Sequence, residues 1–232
     1  MLHSAQCNKA TNEDQKTSSV FENLMLLPDN EFWSILRSSC QDSSDLPEDV
    51  GLLKEYKFWP KWKSNSRTSN VNYVAPDVFF QFEKLDVIVE AKVGDFGGQD
   101  QKQWNNEYVA YLNEYAGKNR NTILIALGGN ATMEAGMARD EVRQKKTKVY
   151  KCSWIALSNE VAKRRKASSS ATDPNEKSAR KRLFDNIKLA FSVHNVLEVH
   201  WFDELCSNQI RIRETSVDNI KLFQTREAWT KN

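Results

Sequence analysis

The segment Pro76-Asp77-Val78-Phe79-Phe80-Gln81-Phe82-Glu83-Lys84-Leu85-Asp86-Val87-Ile88-Val89-Glu90-Ala91-Lys92 decides how this chain is read. β-Branched and aromatic residues dominate Val78 to Phe82 and Val87 to Ala91, which predicts two strands joined by Glu83-Lys84-Leu85-Asp86. Closed symmetrically as a hairpin, the pair sets Asp77 opposite Lys92 and Phe79 opposite Glu90. One face then carries Asp77, Phe79, Gln81, Asp86, Ile88, Glu90 and Lys92. The other carries Val78, Phe80, Phe82, Val87, Val89 and Ala91, is wholly apolar, and belongs on a core. Asp77 lies diagonal to Glu90, a span that a metal ion can bridge. A slip of one residue would move Asp77 to the wrong face, and the connector lacks the Asn-Gly or Asp-Gly pair that pins such turns.

Two carboxylates that converge on one face can hold a hard divalent cation such as Mg²⁺. A lysine beside them can orient or deprotonate a water and stabilise charge developing on a phosphate. An isolated D…ExK match is more often a solvated strand face than a site. Here Pro76, the apolar opposite face and the flanking elements favour the site.

Outward from the hairpin, Val20 to Arg37 has near-helical apolar spacing, broken at Pro28, with Asp29 or Asn30 capping a second piece. Residues 38–50 read as a loop, Lys54 to Lys63 as a first strand, and Ser64 to Asn70 as a polar turn. After a glycine-bearing break at Gly94 to Gly98, Gln99 to Tyr115 reads as an amphipathic helix, with Gly117 as its C-cap. Asn121 to Leu127 reads as a buried strand and Val149 to Leu157 as another. Glu176 to Val193 has helical periodicity, and Val196 to Phe202 and Gln209 to Arg213 read as short strands.

Pro-Asp, a gap, then Glu-x-Lys on a β-hairpin resembles the PD-(D/E)xK nuclease superfamily over roughly residues 20 to 160. The resemblance implies an α/β, restriction-endonuclease-like fold, an αβββαβ core with a central mixed sheet flanked by helices, and the elements after residue 176 read as a C-terminal α/β extension beyond it. It implies a Mg²⁺-dependent nuclease, with Mn²⁺ able to substitute, that cleaves DNA and leaves a 5′-phosphate. Asp77 and Glu90 would bind the metal through their carboxylates and Ala91 through its carbonyl, and Lys92 would position the attacking water. Some branches carry a glutamine and a tyrosine four residues apart on the following helix. Gln103 is the candidate here, although Tyr108 is five residues on. Members also often place an acid on the first helix, for which Glu22 and Glu31 are candidates. Asp95 is a weaker candidate for a supporting role. The alternative is a catalytically silent nucleic-acid-binding or assembly subunit of the same fold; an RNA-directed nuclease is a third reading.

The domain reading is a disordered polar tail over 1–18, a nuclease core over 19–160, a basic flexible linker over 161–180, and an extension over 181–232 packing on the core. The net charge of +2 is unevenly spread: residues 139–182 hold fourteen Lys or Arg against five Asp or Glu, a net of +9, which leaves −7 elsewhere. Arg143, Lys145, Lys146 and Lys148, then Lys163, Arg164, Arg165 and Lys166, are expected to contact a phosphate backbone, with Arg180 to Arg182 a third cluster. The four cysteines are scattered without a CxxC pair, which argues against a zinc site and against a disulfide framework. A cytoplasmic setting fits. No apolar run reaches membrane-spanning length, so no membrane partner is expected. DNA is the expected partner, with a homodimer or a protein partner left open.

Overall fold

The strand that carries Glu90 is walled by apolar residues on both faces of a sheet. The computed structural model describes residues 12–64, 72–115, 120–130, 136–167 and 173–196, all within one compact unit, Met1–Glu198. Its strands are β1 (Leu53–Phe58), β2 (Trp62–Lys63), β3 (Tyr73–Val74), β4 (Val78–Phe82), β5 (Asp86–Ala91), β6 (Thr122–Leu127), β7 (Gly136–Asp140) and β8 (Lys145–Cys152). Its helices are α1 (Asn12–Leu24), α2 (Asp29–Ser39), α3 (Gln101–Glu114), α4 (Trp154–Ala167) and α5 (Pro174–Val193). Six strands form one mixed sheet in the order β1-β4-β5-β6-β8-β7, and β2 pairs with β3 apart from it. The antiparallel run β1-β4-β5 gives way to parallel pairing of β5 with β6 and of β6 with β8, while β7 returns antiparallel at the edge. The fold is thus α/β, with a mixed sheet flanked by helices.

Two cores follow from the alternation of side chains along the strands. The expected apolar face, Val78, Phe80, Phe82, Val87, Val89 and Ala91, packs with Ile123, Ile125 and Leu127 against apolar residues of α1, α2, α4 and α5. Phe79, Ile88, Leu124, Ala126 and Val149 face the other way, onto Trp104, Tyr108 and Tyr111 of α3 and Trp62 of β2. β5 is buried along its whole length, as a strand covered on both faces must be.

The hairpin register differs from the symmetric expectation. Val78 pairs with Val89 and Gln81 with Asp86, so partner numbers sum to 167 and Asp77 stands level with Glu90 instead of diagonal to it. The turn is only Glu83-Lys84, closed by the Phe82 N–H donating to the Leu85 carbonyl at 2.9 Å. A slip of two residues keeps every side chain on its face, so the predicted faces survive the wrong register.

Other expectations need correction. The supposed tail is helical from Asn12, and Lys16, Thr17 and Ser18 are buried. Lys16 donates to the Val93 carbonyl at 2.7 Å and lies 4.3 Å over the Trp154 ring, and Ser19 hydrogen-bonds His194. Tertiary partners hold this polar helix, which apolar periodicity cannot reveal. The single strand over 54–63 is split where Trp59 takes a positive φ of 48° before Pro60. β7 was not foreseen, and the strand placed over 149–157 spans 145–152 instead. Ser153 starts α4 there, its hydroxyl accepting from Ala156 N–H at 3.0 Å. Most of the supposed linker is helix, α4 reaching Ala167 and α5 beginning at Pro174 behind its Asp173 cap. Phe184, Ile187 and Phe191 of α5 join the main core, so residues 181–196 belong to it instead of extending it. Gly117 and the strands expected at 196–202 and 209–213, apart from the buried Val196, lie outside the described residues.

Candidate active site

Asp77, Glu90, Ala91, Lys92 and Gln103 come together where β5 ends, at the carboxyl ends of the parallel strands. Asp77 precedes β4, is 7% exposed, and accepts a hydrogen bond from the Ala91 N–H at 2.7 Å. Glu90 is 2% exposed; one of its oxygens, Oε1, accepts from both Lys92 Nζ and Gln103 Nε2. Gln103 sits on the first turn of α3 because Asp100 caps that helix through the Lys102 N–H. Its expected tyrosine partner is not there: Tyr108 stacks with Tyr111 in the core beside the site.

Three residues at the site were not foreseen in these roles. Glu13 of α1 takes the place proposed for Glu22 or Glu31: it accepts from the Val93 N–H at 3.0 Å and reaches Lys92 Nζ at 3.8 Å. Glu31 is instead ion-paired with Arg180, and Glu22 lies nine residues beyond Glu13, about 14 Å along the helix. Gln99 steadies the backbone, donating to the Glu90 carbonyl at 2.9 Å while accepting from Trp104 Nε1 at 2.7 Å. Glu107, one helical turn after Gln103, is 1% exposed, and neither of its carboxylate oxygens has a hydrogen-bond donor. The helical i, i+4 spacing from Gln103 could have suggested it. Glu13 carried no signal, because a polar stretch gave no reason to place it on a helix.

The loops after β5 and β6 fix the lysine. Trp154 Nε1 donates to the Lys92 carbonyl at 2.6 Å, and Asp95 caps α4 by accepting from the Trp154 N–H at 2.8 Å. Gly129 packs on the Lys92 side chain so closely that an added Cβ would lie 2.8 Å from its Cγ. Asp86, although on the site's face, is used otherwise. It is fully buried at the other end of β5 and accepts from Tyr111 Oη at 2.7 Å and Arg120 Nε at 2.8 Å.

Four carboxyls, Glu13, Asp77, Glu90 and Glu107, thus share one ammonium, that of Lys92. Burial, then the charge of Glu90, pushes the Asp77 and Glu107 carboxyls well above the usual carboxylate range. Burial, together with the charges of Glu90 and Asp14, outweighs Lys92 and raises Glu13 too. Burial alone would lower Lys92, but Glu90, Glu13 and Asp77 outweigh it and hold the ammonium protonated. As the side chains stand, no three Asp, Glu, His or Cys are gathered as a metal-ligand cluster among the described residues. The donor chemistry nevertheless fits a hard cation: all-oxygen ligands, an excess of negative charge, and a buried carboxylate with no donor.

The basic clusters lie elsewhere. Lys145 and Lys146 are exposed at the start of β8, seven residues and about 23 Å along the strand from its site end at Cys152. Arg143, in the β7–β8 turn, is bound to Asp140 and Asn113, and Lys148 to Asp45. On α4, Arg164 pairs with Glu160 and Ser34, and Arg165 with Asp185. Lys163 is exposed, 3.5 Å from Glu160, and Lys166 is exposed near the helix end. The structure therefore brings none of these eight residues to the carboxylates.

No family profile matches the chain, and no solved structure matches it significantly. Among described residues no helix is long and apolar enough to cross a membrane. An uncharacterized protein of Pasteurella multocida (strain Pm70) is 32% identical over 119 residues, which is 50% of this chain and 42% of that protein. The chain therefore spans less than half the length of this relative.

Proposed function

We propose that this protein is a divalent-metal-dependent nuclease of the PD-(D/E)xK type that hydrolyses phosphodiester bonds in DNA. The observation that carries the reading is the meeting of Asp77, Glu90, Lys92 and Gln103 at one buried end of the sheet. Asp77, Glu90 and the Ala91 carbonyl would hold Mg²⁺ or Mn²⁺, which when bound supplies Lewis-acid stabilisation of charge on the phosphate and an acidified water. Without metal, the charges of Glu90, Glu13 and Asp77 favour the Lys92 ammonium, whose N–H donors would orient the water and stabilise the charged phosphoryl oxygens. Gln103 holds the Glu90 carboxylate from α3 and Gln99 holds the Glu90 backbone from the loop before it, so the strand end is fixed at two points.

One observation favours the silent-subunit alternative: Glu90 is already engaged by Lys92 and Gln103, and Asp77 by the Ala91 N–H. Cleavage of supercoiled plasmid and linear DNA in Mg²⁺, Mn²⁺ or EDTA separates the two. The nuclease reading expects metal-dependent cutting, reduced at least a thousandfold in Glu90→Ala and Lys92→Ala, an electrostatic loss of about 4 kcal/mol. Salt-sensitive binding without cutting by the unaltered protein would establish the alternative. Competition by RNA tests the substrate class.

A further inference from the structure

Glu107 has no role in the mechanism above, yet its position is costly. It is 1% exposed on α3, and both its carboxylate oxygens lack a hydrogen-bond donor. A buried polar atom without a partner destabilises the fold, and a buried carboxylate does so most. A leucine or methionine in the surrounding apolar layer, formed by Trp104, Tyr108 and Ala110, would carry no such penalty. The Glu107 carboxyl lies against that of Glu90, which offers it no donor while both are ionised, and the charges of Glu90, Asp77 and Lys92 act on it, so it faces the site. Gln103, one turn earlier on the same helix face, already touches Glu90. Glu107 also borders a cleft of about 340 Å³ between α3 and the β3–β4 link, with Val74, Ala75, Lys102, Gln103 and Asn106 lining it.

We propose that Glu107 is a further carboxylate ligand of the divalent-cation site, reached through this cleft, and that the cation supplies the partner its oxygens lack. The proposal rests on the nuclease reading of the same site but concerns cation binding, which is measurable without substrate. The closing of α3 on β5 makes the assignment specific. Gln103 holds Glu90 at one turn, and Glu107 adds negative charge at the next, where no cationic side chain lies on its oxygens. Hard, all-oxygen coordination by carboxylates, a carbonyl and water suits Mg²⁺ and Mn²⁺ and disfavours softer ions.

The test is calorimetric titration of Mn²⁺ into the full chain, without DNA, for the unaltered protein and for Asp77→Asn, Glu107→Gln and Glu107→Asp. Glutamine keeps the shape of Glu107 and removes its charge, so the fold is expected to persist, checked by circular dichroism. The expected result is a Mn²⁺ affinity at least tenfold weaker in Glu107→Gln and partly restored in Glu107→Asp. Wild-type affinity and stoichiometry in Glu107→Gln, with loss in Asp77→Asn, would overturn the role of Glu107 and leave the nuclease reading standing. Glu107 would then be a proton-sharing neighbour of Glu90. Absence of Mn²⁺ binding by the unaltered protein would overturn both. Should Glu107→Gln fail to fold, Glu107→Asp decides alone: unchanged Mn²⁺ affinity and stoichiometry there would count against a ligand, a weakening for it.

Discussion

The chemistry of single residues at this site is set by an imbalance, four carboxyls around one ammonium. Asp77 and Glu107 have pKa values raised well above the ordinary 3.8 and 4.5, first by burial and then by Glu90. An acid that holds its proton more tightly folded than unfolded favours folding while protonated. Its contribution declines as pH rises from the unfolded pKa through the raised folded one. Without divalent cation, stability should therefore fall as pH rises from the ordinary carboxylate range of about 4 through neutrality, more steeply in the unaltered protein than in Asp77→Asn/Glu107→Gln. At pH 8 the double variant should be the more stable by about 1–3 kcal/mol. Denaturant melts in EDTA across that range check it, and parallel pH profiles for the two proteins would refute it. Asp77, Glu90 and Lys92 were legible in the sequence because alternation along two adjacent strands places them relative to one another. Glu13, Gln99 and Glu107 meet Glu90 only through packing of helices and loops on β5, and no local periodicity encodes that.

At the scale of elements, the hairpin that presents the site is pinned from its opposite end. Arg120, just before β6, bridges the carboxylate of Asp86 and the carbonyls of Phe82 and Glu83, while Tyr111 reaches the same carboxylate from α3. This network supplies what the Glu83-Lys84 turn lacks in intrinsic turn preference, and it explains the two-residue difference from a symmetric closure. Register was not readable because it depends on an arginine 34 positions from Asp86. The faces were readable because parity survives a slip of two. Asp86→Ala takes the carboxylate from a half-buried guanidinium and leaves the buried Tyr111 phenol without its acceptor, and should cost about 2–4 kcal/mol. The folded fraction should keep its turnover number, as the network lies at the far end of β5; comparing urea midpoints with kcat tests both halves. Gly129→Ala should do the reverse. Gly129 has a φ of 62°, and its new Cβ would lie 2.6 Å from the Gly97 carbonyl and 2.8 Å from Lys92 Cγ. Cutting should drop at least tenfold, with a stability loss of only about 1–2 kcal/mol. Full activity in Gly129→Ala would show that Lys92 tolerates displacement.

Across the molecule, the site carboxylates and the exposed Lys145 and Lys146 sit at opposite ends of the sheet. The carboxylates gather where β5, β6 and β8 end in register, at Ala91, Leu127 and Cys152. The exposed Lys145 and Lys146 begin β8 about 23 Å away. The basic bias of residues 139–182 was plain from composition, but its placement was not, because it depends on which end of a parallel strand faces the site. Several of those cations serve the fold: Arg164, Arg165 and Arg180 tie helices together through Ser34, Asp185 and Glu31. A duplex engaged at the carboxylates, with about 3.4 Å per base pair, would need roughly seven base pairs beyond the scissile phosphate to reach Lys145 and Lys146. Affinity should therefore rise with duplex length until that span is covered, and the gain should be lost as salt screens it. In Lys145→Ala/Lys146→Ala the rise should disappear and the salt slope should fall by up to about two, while single-turnover cutting of bound substrate stays unchanged. Fluorescence anisotropy with duplexes of graded length, at two salt concentrations, measures this. Equal length dependence in the unaltered and double-variant proteins would mean that DNA leaves the site in another direction, away from β8.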